Sequence, residues 1–357
     1  MSNILLQAGA PDDPHNAGLT IEQKEVEGLS QGTIVRRRFL RHRGAMISII
    51  VLLGTVILVY SSIGLDFFGN RIPGWWRWGY EAQNAIVNRG NPTWVLPFDF
   101  GAHPFGQDEI GRDIFARVMR GAQQSIVVTV LFGAISAVIG VVIGALAGYF
   151  RGWIDQWLMR LTDVFIIIPL LVIGAVLGQA VGGLGAWALG IVLGLIGWTS
   201  LARLVRGEFL SLREREFVDA ARVAGAGTRR IIFKHILPNS IGIVIVSTTL
   251  LMSGAILTEA ALSFLGFGIL APDVSLGQLI NEYQGAFSTR PWLFWWPGLF
   301  IIVIALGINF IGDGLRDAFD PRQRRIPRGI GPYRQMGTVI AGWLTPRRAA
   351  SGSKDQP

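Results

Sequence analysis

The chain has 357 residues, of which 51% are hydrophobic and only 16% charged, with a mean hydropathy of +0.45. Soluble domains carry roughly 25% charged residues, so this balance points to a polytopic membrane protein. The formal net charge is +8 and cysteine is absent, which excludes disulfide frameworks, thiol catalysis and cysteine-based metal sites.

A hydrocarbon core of about 30 Å takes roughly 20 apolar residues in a helix, and uncharged runs of that length recur along the chain. Residues 1–44 form a mostly polar tail ending in Arg36, Arg37, Arg38, Arg41 and Arg43. Residues 45–65 are the first predicted span, long enough to be retained and preceded by too much polar chain for a cleavable signal. Residues 66–120 are a loop with Trp75, Trp76, Trp78 and Trp94, which suit an interfacial aromatic belt or a contact surface for another protein. At its end, DEIGRDIFARVMR places Ile110, Ile114, Phe115, Val118 and Met119 on one helical face, opposite Glu109, Arg112, Asp113, Arg117 and Arg120. That pattern predicts a helix lying in the membrane plane.

Residues 121–150 are the second span. The uncharged run 164–202, between Asp163 and Arg203, is too long for one span and carries Gly182, Gly183 and Gly185 at its middle, where a tight hairpin divides it into two. Pro169 kinks the first of these, as a packing bend or as a hinge. Residues 236–258 and 291–312 complete six helices, with an outer loop over 266–290 between them. The C-terminal tail, residues 319–357, contains IGPYRQMGTVIAGWL, which reads as a surface helix or a loose end.

Of the 32 Lys and Arg residues, only Arg71, Arg77, Arg89, Arg112, Arg117, Arg120 and Arg290 fall on the face that carries the two larger loops. Positive residues mark the cytoplasmic side, so both termini are expected inside the cell. The basic balance reflects this bias and anionic lipid rather than nucleic-acid binding.

The segment 203–238 lies on the cytoplasmic face and is longer than a connector needs to be. Residues 213–224 have helical spacing: Phe217, Ala221 and Ala224 form a small-residue stripe, while Arg213, Glu214, Arg215, Asp219 and Arg222 face elsewhere. Gly225 and Gly227 interrupt that helix, Thr228 caps a second short one running to Lys234, and Pro238 marks the start of the next span. The expected product is a helix, turn, helix projection that docks against a partner.

The pattern Asp219-Ala220-Ala221, then Gly225, then Leu237-Pro238 resembles the EAA loop of permease subunits from ATP-binding-cassette importers. Asp219 stands where that family usually has Glu, and His235 where it usually has Ile; neither alters helical geometry. Further stretches occur in order: GQDEIGRDIFARVMRGAQQS, YFRGWIDQWLMRLTDVFIIIP, REREFVDAARVAG, KHILPN, EAALSFLGFG and GDGLRDAFDPR. Together they resemble the C-type permease of dipeptide and oligopeptide importers over residues 105–322. The resemblance implies an all-α integral membrane fold of six transmembrane helices in the type I importer permease architecture. The permease core would cover residues 121–318 and include the EAA loop at 203–238.

The resemblance also implies partners. They are a second, homologous permease, one or two cytoplasmic ATPases that bind ATP and Mg, an extracytoplasmic substrate-binding protein that sets most of the selectivity, and membrane lipids. Glu216, Phe217, Asp219, Ala220, Ala221, Arg222, Gly225, Leu237 and Pro238 would couple the chain to the ATPase. Phe217, Ala220 and Ala221 would be the packing face, Asp219 and Arg222 polar partners, and Gly225 the turn.

The chain has no ATP site of the P-loop kind: Lys24, Lys234 and Lys354 are its only lysines, and none follows a glycine. The main alternative is an ion-coupled secondary transporter, which requires ionisable residues near mid-membrane. Asp163 and Glu259 are the candidates. Asp163 follows Arg160 at helical spacing, as in a local ion pair. Glu259, near the outer end of the fifth span, reads as part of a translocation path or gate, with Pro169, or as a structural hydrogen-bonding group. Enzymatic function has little support, because His15, His42, His103 and His235 lie in separate segments and no zinc or serine-hydrolase motif is present.

Overall fold

The computed structural model describes residues 31–67, 70–94 and 101–320. The tail up to residue 30 and the C-terminal IGPYRQMGTVIAGWL segment lie outside the described residues. The described chain is mostly helical, apart from a short hairpin and the largely irregular segment that follows it up to residue 113, with α1 over Gln31–Arg41, α2 over Arg43–Ile63 and α3 over Ile114–Phe150. Then follow α4 over Gly152–Ile167, α5 over Leu170–Val181, α6 over Ala186–Gly194, α7 over Thr199–Arg213 and α8 over Glu216–Val223. The last three are α9 over Thr228–Phe264, α10 over Leu276–Tyr283 and α11 over Trp292–Phe319. Helices α2, α3, α9 and α11 are each long and apolar enough to cross a membrane; counting each of the bent pairs, α4 with α5 and α6 with α7, as one span gives up to six.

Helix α3 corrects one expectation. Residues 109–120 form no separate helix in the membrane plane: Asp113 caps α3 by accepting from the Ala116 amide at 2.8 Å, and the helix runs unbroken for 37 residues. At 1.5 Å per residue that is about 55 Å, longer than the hydrocarbon core. The apolar face expected there exists, but Ile114, Phe115, Val118 and Met119 turn it into the protein core, together with Arg117. Ile110 lies before the helix and is exposed.

The run between Asp163 and Arg203 folds as the glycine spacing predicts. A 3-10 turn over Gly182–Leu184 is followed by Gly185 at φ +85°, a conformation only glycine adopts cheaply. The break at Pro169 is larger than a kink, with α4 and α5 meeting at 80°. Asp163 pairs with Arg203 of α7, not with Arg160 on its own helix. Helices α3 and α7 approach through Gly140, Gly144 and Gly148, where added Cβ atoms would meet Leu201, the Ala202 carbonyl and the Arg206 carbonyl. This small-residue stripe at four-residue spacing allows backbone contact that larger side chains forbid.

At the opposite end from α8, β1 (Gly64–Phe67) and β2 (Asn70–Pro73) pair antiparallel, a departure from a purely helical chain. The tryptophans after it are not a simple belt. Trp76 donates to Asp113 at 2.9 Å, and Trp78 donates to the Ala102 carbonyl and stacks on His103, whereas Trp75 and, to a lesser extent, Trp94 are exposed. One apolar core, including Val59, Phe115, Ile256, Leu276 and Leu293, joins α2, α3, α9, α10 and α11 at this end. Another, built on Val205, Phe209, Val218, Ile231 and Ile236, joins α7, α8 and α9 at the other.

Candidate coupling surface

Helix α7 ends at Arg213, and Arg215 turns extended (φ −86°, ψ 145°) before α8 begins at Glu216. The expected single helix over 213–224 is therefore two, broken at Glu214 and Arg215. Helix α8 has Glu216 and Asp219 in its first turn and Arg222 in its last, the arrangement its dipole favours. It closes in a Schellman motif. The Gly225 amide donates to the Arg222 carbonyl and the Ala226 amide to the Ala221 carbonyl, both at 2.9 Å, with Gly225 at φ +78°. No atom lies within 4 Å of a Cβ added at Gly225, so backbone conformation, not space, requires glycine there.

Val218 is fully buried and Ala221 nearly so, facing the core formed with Ile231 and Ile236. Glu216, Phe217, Asp219, Ala220, Arg222 and Gly225 are exposed together on the projection, with Asp219 and Arg222 paired at 2.7 Å. Ala221 is thus a correction: it packs inward and is not part of the free face. Sequence reasoning missed Val223, which is 90% exposed and is the most prominent apolar residue of the helix. Its signal was available, since it follows Phe217 and Ala220 at three-residue steps among charged neighbours.

The second short helix does not end at Lys234. Gly227, not Thr228, precedes its first turn, and the helix continues through a π segment over Ile231–Ile236 directly into the span. Pro238 has no N–H to give to the preceding turn, while the Asn239 side chain donates to the His235 carbonyl at 2.5 Å. Leu237, half-buried, and Pro238, exposed, therefore lie on the continuous helix α9 just past its π turn.

Residues 140–325, more than half of the chain, match the family described as the binding-protein-dependent transport system inner membrane component. The chain belongs to that family. The oligopeptide transport system permease protein OppC of Mycobacterium tuberculosis is 37% identical over 309 residues, covering 85% of this chain and 99% of the relative. OppC of Haemophilus influenzae is 36% identical over 304 residues, covering 85% and 93%. Among solved structures, the MetNI methionine ABC transporter in an inward-facing conformation aligns with 56% of this chain and 95% of its own, at 20% identity and a TM-score of 0.46.

In this inner-membrane transport component, the acids considered for ion coupling are satisfied internally. Glu259 has no exposed surface; its carboxylate accepts from Ser125 of α3 at 2.7 Å and from Ser263 of α9 at 2.8 Å. Asp163 is held by Arg203. Pro169 sits at the α4–α5 break. Near the C-terminal end of α9, a cleft of about 580 Å³ is lined by Glu81, Arg112, Arg117, Asp273, Asn281 and Glu282 among others. Arg117 and Arg112 both bind Glu282, and burial of that carboxylate is outweighed by these guanidiniums, which hold its pKa below the ordinary value.

Proposed function

We infer that this permease imports oligopeptides. It would form the translocation path with a second, homologous permease, receive substrate from an extracytoplasmic binding protein, and be driven by separate cytoplasmic ATPases that bind ATP and Mg. The names of the similar OppC proteins support the peptide substrate, and the arginine distribution supports cytoplasmic termini. The observation that carries the ATPase partner is α8 itself: a helix closed by its C-terminal glycine turn and held from behind by Val218 while Phe217, Ala220 and Val223 remain uncovered. ATPase closure would move this projection, and rigid-body motion of the spans would open the path.

The chain has no cysteine, so Val223→Cys provides its only thiol. In native membranes, a thiol-directed crosslinker at that position is expected to capture an ATPase with Walker motifs. Efficient labelling of the Val223→Cys chain with capture of no ATPase would sink the reading.

A further inference from the structure

Helix α4 is attached to the bundle in an unusual way. Of its residues only Thr162 is buried, while Trp153, Trp157, Val164 and Ile167 are 60–78% exposed. Apolar packing therefore does little to fix its position against the rest of this chain. Charged pairs set its direction instead. Asp155 accepts two hydrogen bonds from Arg206, from Nε at 2.5 Å and from Nη2 at 2.6 Å, and Asp163, two turns further along α4, pairs with Arg203 at 2.5 Å. The paired, planar geometry at Asp155 fixes orientation as well as distance.

Both arginines belong to α7, the helix that runs into the coupling projection. At the end of α7 two further contacts reach the junction between α3 and α4: Arg213 donates to the Tyr149 carbonyl of α3, and Glu214, just past the end of α7, pairs with Arg151 at 2.7 Å. At its far end α4 meets the 80° bend at Pro169. A displacement of α7 is thus transferred to α4 through side-chain charges, and the point where α4 can yield is the bend.

We propose that Asp155 and Asp163 are positioning residues that carry movement of the coupling projection from α7 into the α4–α5 bend. The proposal rests on the reading that α8 docks on an ATPase. It adds a route by which that docking reaches α4, whose apolar packing on this chain is limited to half-buried residues such as Phe165 against Trp198.

The test is a charge exchange in the assembled transporter, reconstituted in vesicles with its partner permease, ATPases and binding protein. Peptide uptake and ATP hydrolysis are measured per assembled complex. Asp155→Arg or Arg206→Asp alone is expected to lower peptide imported per ATP hydrolysed by about tenfold while the ATPases stay bound, and the exchanged pair to recover to within about twofold. Asp163→Arg with Arg203→Asp should behave the same way. The milder Asp155→Asn/Asp163→Asn chain, which keeps side-chain volume, should show the same fall at full assembly if a reversal prevents folding.

A purely structural role would reduce the amount of complex and leave the ratio per complex unchanged. That result, or an exchanged pair as impaired as its single variants, overturns the proposal. Capture of the ATPase through Val223→Cys is scored separately: with capture intact, a null charge exchange removes only the positioning role of Asp155 and Asp163, whereas loss of capture in the otherwise native chain removes the docking reading beneath it.

Discussion

Asp163 and Arg203, the two charges that bound the longest apolar run of the chain, are each other's partner, with Oδ1 and Nη2 2.5 Å apart. The turn at Gly182–Leu184 lies close to the midpoint between them, so the two arms of the hairpin bring both ends of the run to one level. Each side chain remains nearly half exposed, so the pair contributes about 1 kcal/mol or less to stability. Its value lies in register: an apolar hairpin can slide, and a charge at each end defines where it stops.

The glycine stripe of α3 sets how closely α7 can approach. A Cβ at Gly144 would lie 2.5 Å from the Ala202 carbonyl and 2.8 Å from Val205 Cβ, and backbone cannot be moved aside cheaply. Gly144→Val is expected to destabilise the protein by about 1–3 kcal/mol through overpacking. Gly207→Ala in α7 is the matched control, since nothing lies within 4 Å of a Cβ there. It should be neutral or stabilising by up to about 1 kcal/mol. Thermal denaturation of the purified variants, followed by loss of monodisperse protein, distinguishes the two; equal behaviour would remove the close-packing account.

Acid should loosen the end opposite α8 first. Asp108, Arg112, Arg117, Glu282 and Tyr283 form one network tying the segment before α3 to α10, and burial keeps the Tyr283 phenol neutral by pushing its pKa up. Glu282 has a folded pKa below its unfolded value of about 4.5, so its contribution is fully present above that pH. The contribution is lost as pH falls from there through the lower folded value. Amide exchange in α10, corrected for intrinsic rates, should therefore rise relative to that in α3 as pH falls below about 4.5. Glu282→Gln should show elevated exchange at neutral pH and little further change.

Glu259 offers a separate test of burial without an ion pair. Removing its carboxylate leaves the Ser125 and Ser263 hydroxyls without their acceptor inside the protein. Glu259→Leu is expected to cost about 1–3 kcal/mol, and Glu259→Gln, which retains a carbonyl oxygen, less. The order of thermal midpoints checks this, and a leucine variant as stable as the native chain would deny the carboxylate a structural role.

The five apolar runs, the hairpin at Gly182 that divides one of them and the glycine at the end of α8 were legible because length, hydropathy and positive φ leave few alternatives. The faces of the amphipathic segments were not. At residues 110–119 the apolar stripe suited lipid and protein core equally, and only the fold, through the Asp113 cap and the core around Phe115, shows which receives it. In α8 the same ambiguity misplaced Ala221: with small apolar residues all round, spacing groups neighbours but does not say which side faces the body. Val218 settles that, through contacts with Ile231 and Ile236 distant in sequence. The pairing of Asp155 with Arg206 is likewise a product of chain reversal. No local pattern announces it.

Val218 and Val223 stand on opposite sides of α8 and should fail in different ways. Val218 is fully buried between α7 and α9, so Val218→Glu places a charge in an apolar core and should collapse the projection, with increased proteolysis across residues 213–230. Val223 is 90% exposed, and Val223→Glu should change stability by no more than about 0.5 kcal/mol. Its effect belongs to the partner: an apolar tip replaced by a carboxylate should weaken ATPase association while the permease remains folded and inserted. Co-purification of the ATPases with each variant, set beside limited proteolysis of the same samples, separates the two cases. A Val223→Glu chain that retains its ATPases at native affinity would place the contact elsewhere on the projection, at Phe217 and Ala220.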